Sequence, residues 1–313
     1  MKGLTLLPSA TEIVCWLGKQ DRLLGISHEC DYPAEALAGL PQLTASRLGS
    51  AHSSSAIHQS ISALLESAMG VYQLDVEKFA KLRPDFVITQ DLCDVCAVSF
   101  QQVEEACRTV TEKDVQIISL RPKKWDDIWN DIKRVAKILG AEEKCIPLLN
   151  DVSSRVEAIK QRVKNASVSP KTVLTIEWFS PVMISGLWVP EMIDFAGGVA
   201  LFATSGEKSQ TVSFEQLSAV NPDVVIVKPC GYKTEQTLNE FATLKTLAPW
   251  GQWNAGRNDE VYLVDGNSYF NRPGPRLIDS LEILSACTHP GLFPEFEARY
   301  PVLKTGRDTP SLL

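Results

Sequence analysis

Apolar and polar positions along the chain fall into two kinds of block. Short apolar runs at Leu4–Leu7, Leu23–Ile26, Phe86–Gln90, Val115–Leu120, Val173–Ile176, Val224–Ile226 and Val261–Val264 have the length of buried β-strands. The stretches between them carry apolar residues at spacings of three and four, which is the helical period. One stretch occurs twice. Residues 76–88 read Val-Glu-Lys-Phe-Ala-Lys-Leu-Arg-Pro-Asp-Phe-Val-Ile, and residues 214–226 read Phe-Glu-Gln-Leu-Ser-Ala-Val-Asn-Pro-Asp-Val-Val-Ile. Glu77, Pro84 and Asp85 thus return 138 positions later as Glu215, Pro222 and Asp223. Each copy predicts a short amphipathic helix that stops before proline, followed by a buried strand. The opening of each unit matches too. Leu4–Leu7, Pro8, Glu12 and a helix closing at Leu17-Gly18 resemble Val173–Ile176, Pro190, Glu191 and a helix closing at Ala196-Gly197-Gly198. Strands alternating with helices predict mostly parallel sheets covered by helices. The fold class expected is α/β, with two Rossmann-like lobes.

The expected boundaries are an N-terminal lobe at 1–121, a helical linker at 122–170, a C-terminal lobe at 171–288 and a tail at 289–313. In the linker, Ile146, Leu149, Val152, Val156, Ile159 and Val163 form one apolar stripe. Pro147 suits only a first turn, which predicts a helix start near Ile146. Such a helix of about 20 residues is roughly 30 Å long and bridges the lobes. The tail, with four prolines, is expected to wrap the surface or fray. Ligands of open α/β sheets collect beyond the carboxyl ends of the strands, which predicts a ligand cleft between the lobes. Its walls would be the loops at 8–12, 27–33, 90–98, 177–188, 229–232 and 266–276.

Composition narrows the function. The 313 residues are 44% hydrophobic and 22% charged, which is enough apolar content to offset the entropy of folding. A net charge of −7 argues against nucleic-acid partners, whose proteins present a basic face. No apolar run nears ~18 residues, so no membrane insertion is expected. The apolar start meets Pro8 and Glu12 without a small-residue cleavage site, so this chain is expected to be cytoplasmic, or periplasmic or extracellular if an export signal was removed. Thiols fit a reducing compartment. A monomer is expected.

The predicted loops are rich in aromatics: Tyr32, Trp178, Phe179, Trp188, Tyr232, Tyr269 and Phe270. Such rings suit a large, flat, partly apolar ligand, or they cap the lobe cores. Arg272, in Asn271-Arg272-Pro273-Gly274-Pro275-Arg276, either offers its planar fork to a ligand carboxylate, carboxamide or phosphate, or ties the loop by a salt bridge. His28, Cys30, Cys93 and Cys96 follow neighbouring strands and form a candidate set for zinc or another soft metal. Cys93 and Cys96 also have redox spacing, although two acidic neighbours would raise their thiol pKa, and structural roles stay open. Cys15, Cys107, Cys145, Cys230 and Cys287 fall in apolar or helical patterns and read as packing residues. P-loop, dinucleotide, nucleophile-elbow and zinc-protease motifs are all missing. Binding is favoured over catalysis, and a metal-dependent or redox enzyme built on His28, Cys30, Cys93 and Cys96 is the alternative.

The chain also resembles the cobalamin and iron-chelate substrate-binding proteins of ABC importers, in the helical-backbone class where one long helix joins two α/β lobes. The resemblance rests on Leu6-Leu7-Pro8-Ser9-Ala10-Thr11-Glu12, Asp31-Tyr32-Pro33, Leu82-Arg83-Pro84-Asp85-Phe86-Val87-Ile88, Ser185-Gly186, Ala196-Gly197-Gly198, Asn221-Pro222-Asp223 and Tyr269-Phe270-Asn271-Arg272-Pro273-Gly274-Pro275-Arg276. It implies non-catalytic binding of cobalamin, or a related corrinoid, tetrapyrrole or metal chelate, with an ABC permease as partner. A cytoplasmic corrinoid chaperone is a further reading. Arg272 matches a corrinoid-contacting arginine, and Tyr32, Trp178, Trp188 and Phe270 lie on the matching cleft loops, with Tyr269 a further ligand-binding candidate. Glu29 and Glu177 stand where cobalamin-binding members place aromatic contacts. Glu77 and Glu215 match the glutamates that dock into the permease, although each also suits the positive end of its helix.

Overall fold

In the computed structural model the described residues are 1–48, 53–67, 70–91, 98–108, 114–305 and 310–312. The chain divides into two compact units, one of residues 1–122 and 126–149 and one of residues 123–125 and 150–313.

The strands of the first unit are β1 (Gly3–Thr5), β2 (Leu23–Ile26), β3 (Thr44–Ser46), β4 (Tyr72–Leu74), β5 (Phe86–Gln90) and β6 (Gln116–Leu120). Its helices are α1 (Pro8–Trp16), α2 (Ala34–Leu37), α3 (Ser54–Glu66), α4 (Val76–Leu82), α5 (Phe100–Arg108) and nearly all of α6 (Trp125–Leu139). A long helix, α7 (Glu142–Ala166), follows, and the division between the units falls inside it. The main sheet is parallel throughout, in the order β2-β1-β5-β6. β3 and β4 make a separate antiparallel pair. The core gathers Leu4, Leu6, Phe79, Val87 and Val103, from both strands and helices.

The second unit contains β7 (Lys171–Trp178), β8 (Met183–Ile184), β9 (Gly198–Ala200), β10 (Gln210–Thr211), β11 (Val224–Val227), β12 (Val261–Leu263), β13 (Leu303–Thr305) and β14 (Pro310–Leu312). Its helices are α8 (Val189–Phe195), α9 (Phe214–Ser218), α10 (Thr234–Leu247), α11 (Asn254–Arg257), α12 (Leu277–Thr288) and α13 (Pro294–Arg299). A parallel set β9-β7-β11-β12 repeats the order of the first sheet. β8, β10, β13 and β14 extend it with antiparallel pairings. Every residue of β11 is buried, as is every residue of α12 except Asp279.

The duplication has a structural reason. In each unit the Pro-Asp pair ends a helix and clamps the start of the first strand. The Asp85 amide donates to the Lys2 carbonyl at 2.7 Å, and the Lys2 amide donates to the Asp85 carboxylate at 2.6 Å. In the second unit the Asp223 amide and carboxylate make the same pair with Thr172, both at 3.0 Å. In each case the carboxylate satisfies an amide at the start of the strand, so the same dipeptide solves the same problem twice.

Three expectations are corrected. α7 begins at Glu142, with Pro147 inside it and Ile146 60% exposed. Proline removes the hydrogen bond to Glu143, but both residues lie on the exposed face, where water can serve that carbonyl. The buried stripe is therefore Val152, Val156 and Ile159, flanked by half-buried Leu149 and Val163. The tail does not simply wrap or fray, because β13 pairs with β12 and buries Leu303, covering what would be a bare sheet edge. Cys230 is exposed rather than packed, whereas Cys145 and Cys287 are buried.

Candidate functional site

The second unit carries most of the predicted ligand residues at the carboxyl ends of β7, β11 and β12. Glu177 and Trp178 close β7 and are half-buried. The Trp178 ring meets Tyr232 edge-on, with centroids 5.6 Å apart, and Phe179 lies beneath, 6.3 Å from the same tyrosine. The buried Tyr232 hydroxyl donates to Glu240 at 2.9 Å, and burial followed by that carboxylate raises its pKa. The indole N–H of Trp178 is buried with no hydrogen-bond partner among the described residues.

Next to them runs the loop of residues 266–276, which is held from several sides. The Asp265 carboxylate accepts from the Asn267 and Ser268 amides at 2.9 and 2.7 Å, an Asx-type turn that starts the loop. Gly266 sits so close to the preceding strand exit that a Cβ there would lie 2.1 Å from the Pro229 carbonyl. Phe270 is 1% exposed in the left-handed backbone region, with φ at 65°. The Ser280 hydroxyl accepts from its amide, and its carbonyl accepts from the Trp188 indole, each at 2.9 Å. Trp188 and Phe270 are therefore interior props of the loop. Arg272 is nearly buried and donates to Asn267 Oδ1 at 2.9 Å. Tyr269 is half-buried, with Tyr300 edge-on to its ring and the Arg276 guanidinium over it.

Lys228, the residue after β11, is fully buried. Its Nζ donates to Asn271 Oδ1 at 2.8 Å and lies 3.5 Å from Glu177 Oε2. Burial lowers the lysine pKa, and Glu177 opposes that shift. Sequence reasoning missed Lys228. Its one signal is a lysine ending an otherwise all-apolar strand run, Val-Val-Ile-Val-Lys.

In the first unit the equivalent strand ends carry small polar side chains. Thr5 and Thr11 share a hydroxyl contact at 2.6 Å, and Thr11 Oγ1 lies 3.0 Å from Cys30 Sγ. His28 Nδ1 is 2.6 Å from Thr44 Oγ1, which also meets the Ser27 hydroxyl at 2.9 Å. The Tyr72 hydroxyl donates to Glu29 at 2.6 Å, and its ring packs 5.4 Å from that of His28. Tyr32 is 49% exposed.

The candidate metal set is not assembled by what is described. His28 and Cys30 turn to threonines, and Cys93 and Cys96 lie outside the described residues, as does His52. Among the described residues no group of three or more His, Cys, Asp or Glu is placed to hold a metal ion.

Glu77 and Glu215 occupy equivalent places in the first turns of α4 and α9, behind the N-caps Asp75 and Ser213. Both are exposed, and each follows an exposed apolar residue, Val76 or Phe214. The Ser213 hydroxyl helps hold the Glu215 carboxyl below the ordinary range.

Comparison with known proteins places this architecture. A family model described as "Periplasmic binding protein" matches residues 5–267. The chain is 25% identical over 305 residues to the uncharacterized ABC transporter substrate-binding lipoprotein YvrC of Bacillus subtilis (strain 168), covering 94% of this chain and 82% of that protein. It is 23% identical over 304 residues to a vitamin B12-binding protein of Vibrio cholerae serotype O1, covering 91% and 87%. Among solved structures, the periplasmic heme-binding protein RhuT from Roseiflexus sp. RS-1 shares the fold, with a TM-score of 0.68 at 20% identity, covering 95% of this chain and 99% of that one. These relatives lend no support to the expectation of a cytoplasmic protein, to bound zinc or to an enzyme. No helix among the described residues is long and apolar enough to cross a membrane. The match over most of the chain and the duplicated α/β units together show that the chain belongs to the periplasmic binding protein family, whose members bind substrates for ABC transporters rather than transform them.

Proposed function

We propose that the protein is the cargo receptor of an ABC importer for a corrinoid, haem or similar metal macrocycle. The observation that carries this reading is the grouping at the carboxyl ends of β7, β11 and β12. There Trp178 and Tyr269 are half-buried next to the Arg272 loop, and the Trp178 N–H has no hydrogen-bond partner among the described residues. Aromatic faces suit a flat, partly apolar ring system, and a guanidinium suits the carboxylates or carboxamides on its rim. Two relatives, the vitamin B12-binding protein and the heme-binding protein, are named for cargoes of this kind. In the second unit Glu177, against Lys228, joins the proposed contacts, and in the first unit Tyr32 and Glu29 stand at the corresponding strand ends. Glu77 and Glu215 dock the permease, one from each copy of the repeat.

Calorimetric and spectral titration with hydroxocobalamin, haem and a ferric chelate tests the reading. One of them is expected to bind at micromolar Kd or tighter, and Arg272→Ala and Trp178→Ala each weaken it by about tenfold, roughly 1.4 kcal/mol. No binding of any of the three at ~100 μM refutes it. Glu77→Ala with Glu215→Ala leaves cargo Kd unchanged and lowers transporter stimulation. A changed cargo Kd would remove the docking assignment.

A further inference from the structure

Lys228 has no exposed surface, so it cannot itself touch a bound cargo. A lysine is rarely buried completely unless its head group is bonded, and a methionine of similar length fills such a space without that demand. The use of the ammonium head lies in what it bonds. Asn271 is clasped at both ends of its amide. Oδ1 accepts from Lys228 Nζ at 2.8 Å, and Nδ2 points to the Lys228 carbonyl at 3.3 Å and the Gly266 carbonyl at 2.8 Å. One side chain thereby ties the exit of β11 to both ends of the loop that leads to Arg272. Asn271 also sits between Phe270, in the left-handed region, and Arg272. A non-glycine residue keeps such a φ only where its surroundings hold it. The Lys228 ammonium lies 5.5 Å from the centre of the Phe270 ring, and Glu177 at the end of β7 completes its surroundings.

We propose that Lys228 is a positioning residue, which through Asn271 holds the Phe270–Arg272 segment in the conformation that aims the Arg272 guanidinium at the cargo. The proposal rests on the reading of these loops as the cargo site. A contact loop fixed in advance binds more tightly than one that must be ordered on binding, so loosening the clasp weakens affinity without removing any contacting group.

Hydrogen–deuterium exchange on the full chain tests the clasp without any ligand. In Lys228→Met, the amides of residues 267–271 are expected to exchange about tenfold faster or more, while those of β7 and β11 keep their protection. Unchanged exchange at 267–271 overturns the proposal, and so does equal acceleration across the whole unit. If Lys228→Met does not fold, Asn271→Ser cuts the same clasp with the lysine in place, and the same loop-confined acceleration is required. A second arm uses whichever of hydroxocobalamin, haem or the ferric chelate the wild type binds. Arg272→Ala is expected to weaken binding about tenfold in the wild type but less than about threefold in Lys228→Met, because the guanidinium is already misaligned there. Full additivity overturns the positioning role. A wild type that binds none of the three refutes the cargo reading, and the exchange arm then decides the clasp on its own.

Discussion

The two Pro-Asp clamps provide a quantitative test, because the repeat places the same residue in two different environments. In the second unit the Asp223 carboxylate accepts from the Thr172 amide at 3.0 Å, the Thr172 hydroxyl at 2.8 Å and the Asn254 side chain at 3.0 Å. In the first unit Asp85, whose side chain is 35% exposed, accepts from the exposed Lys2 amide. A hydrogen bond to a charged group contributes about 1.5–3 kcal/mol when buried and less when solvent competes. Asp223→Ala, at a half-buried site, is therefore expected to cost about 2–4 kcal/mol, and Asp85→Ala about 1 kcal/mol or less. At a urea slope of about 2–3 kcal/mol per M, the first variant shifts the unfolding midpoint by on the order of 1 M. Urea unfolding followed by tryptophan fluorescence and circular dichroism measures both. The pH dependence supplies a sign. Burial alone would raise the Asp223 pKa, but the bonds from Asn254 and Thr172 outweigh it and hold the group below its ordinary 3.8. Its stabilisation is thus complete above that value and is lost as the pH falls through the lowered folded-state pKa. The gap between wild type and Asp223→Ala should narrow in that acid range. Equal losses for the two variants, or a gap that does not change with pH, would refute the assignment of this stability to the Asp223 carboxylate.

Two further outcomes follow from buried groups. Glu282 is 2% exposed and accepts from Arg155 at 2.8 Å, Arg299 at 3.0 Å and the Tyr300 hydroxyl at 2.6 Å. Removing one member of a buried ion network strands the rest, so Glu282→Ala is expected to cost about 3–5 kcal/mol in chemical unfolding, and a loss below about 1 kcal/mol contradicts that. Burial, followed by nearby carboxylates, pushes the Cys15 thiol up to about 11 and also raises Cys287. Labelling with iodoacetamide at about pH 8 should therefore reach the exposed Cys230 well before Cys287, which stays unmodified until urea is added; early modification of Cys287 would show that α12 opens.

Much of the architecture was legible in the chain because each signal was local. Alternation of apolar strands with amphipathic helices located β2, β5, β6, β7, β11 and β12 to within a residue or two. The Pro-Asp repeat marked equivalent strands, since in both copies the helix stops before the proline and a buried strand follows. Errors arose where a local rule met a tertiary exception. Pro147 was read as a helix start, yet an exposed face tolerates the hydrogen bond it lacks. Four prolines marked the tail as irregular, yet the open edge of β12 recruits β13. Residue type and position put Trp178, Trp188, Phe270 and Arg272 on one list of expected ligand contacts, but type alone could not tell a contact from a support. The burial of Trp188 and Phe270 shows that they support the loop.

By itself the amino-acid sequence determined the two α/β repeats, the positions of most strands and the loops that carry aromatic rings and Arg272. These follow from periodicity and from backbone constraints that act over a few residues. It did not determine the strand order: β2 and β5, expected to be neighbours, lie on either side of β1. Only the tertiary structure decided which of those loop residues keep accessible surface, that His28 and Cys30 pair with threonines, and that a fully buried lysine clasps Asn271. Burial and long-range hydrogen bonds depend on which distant segments meet, and no local pattern in the chain records that meeting.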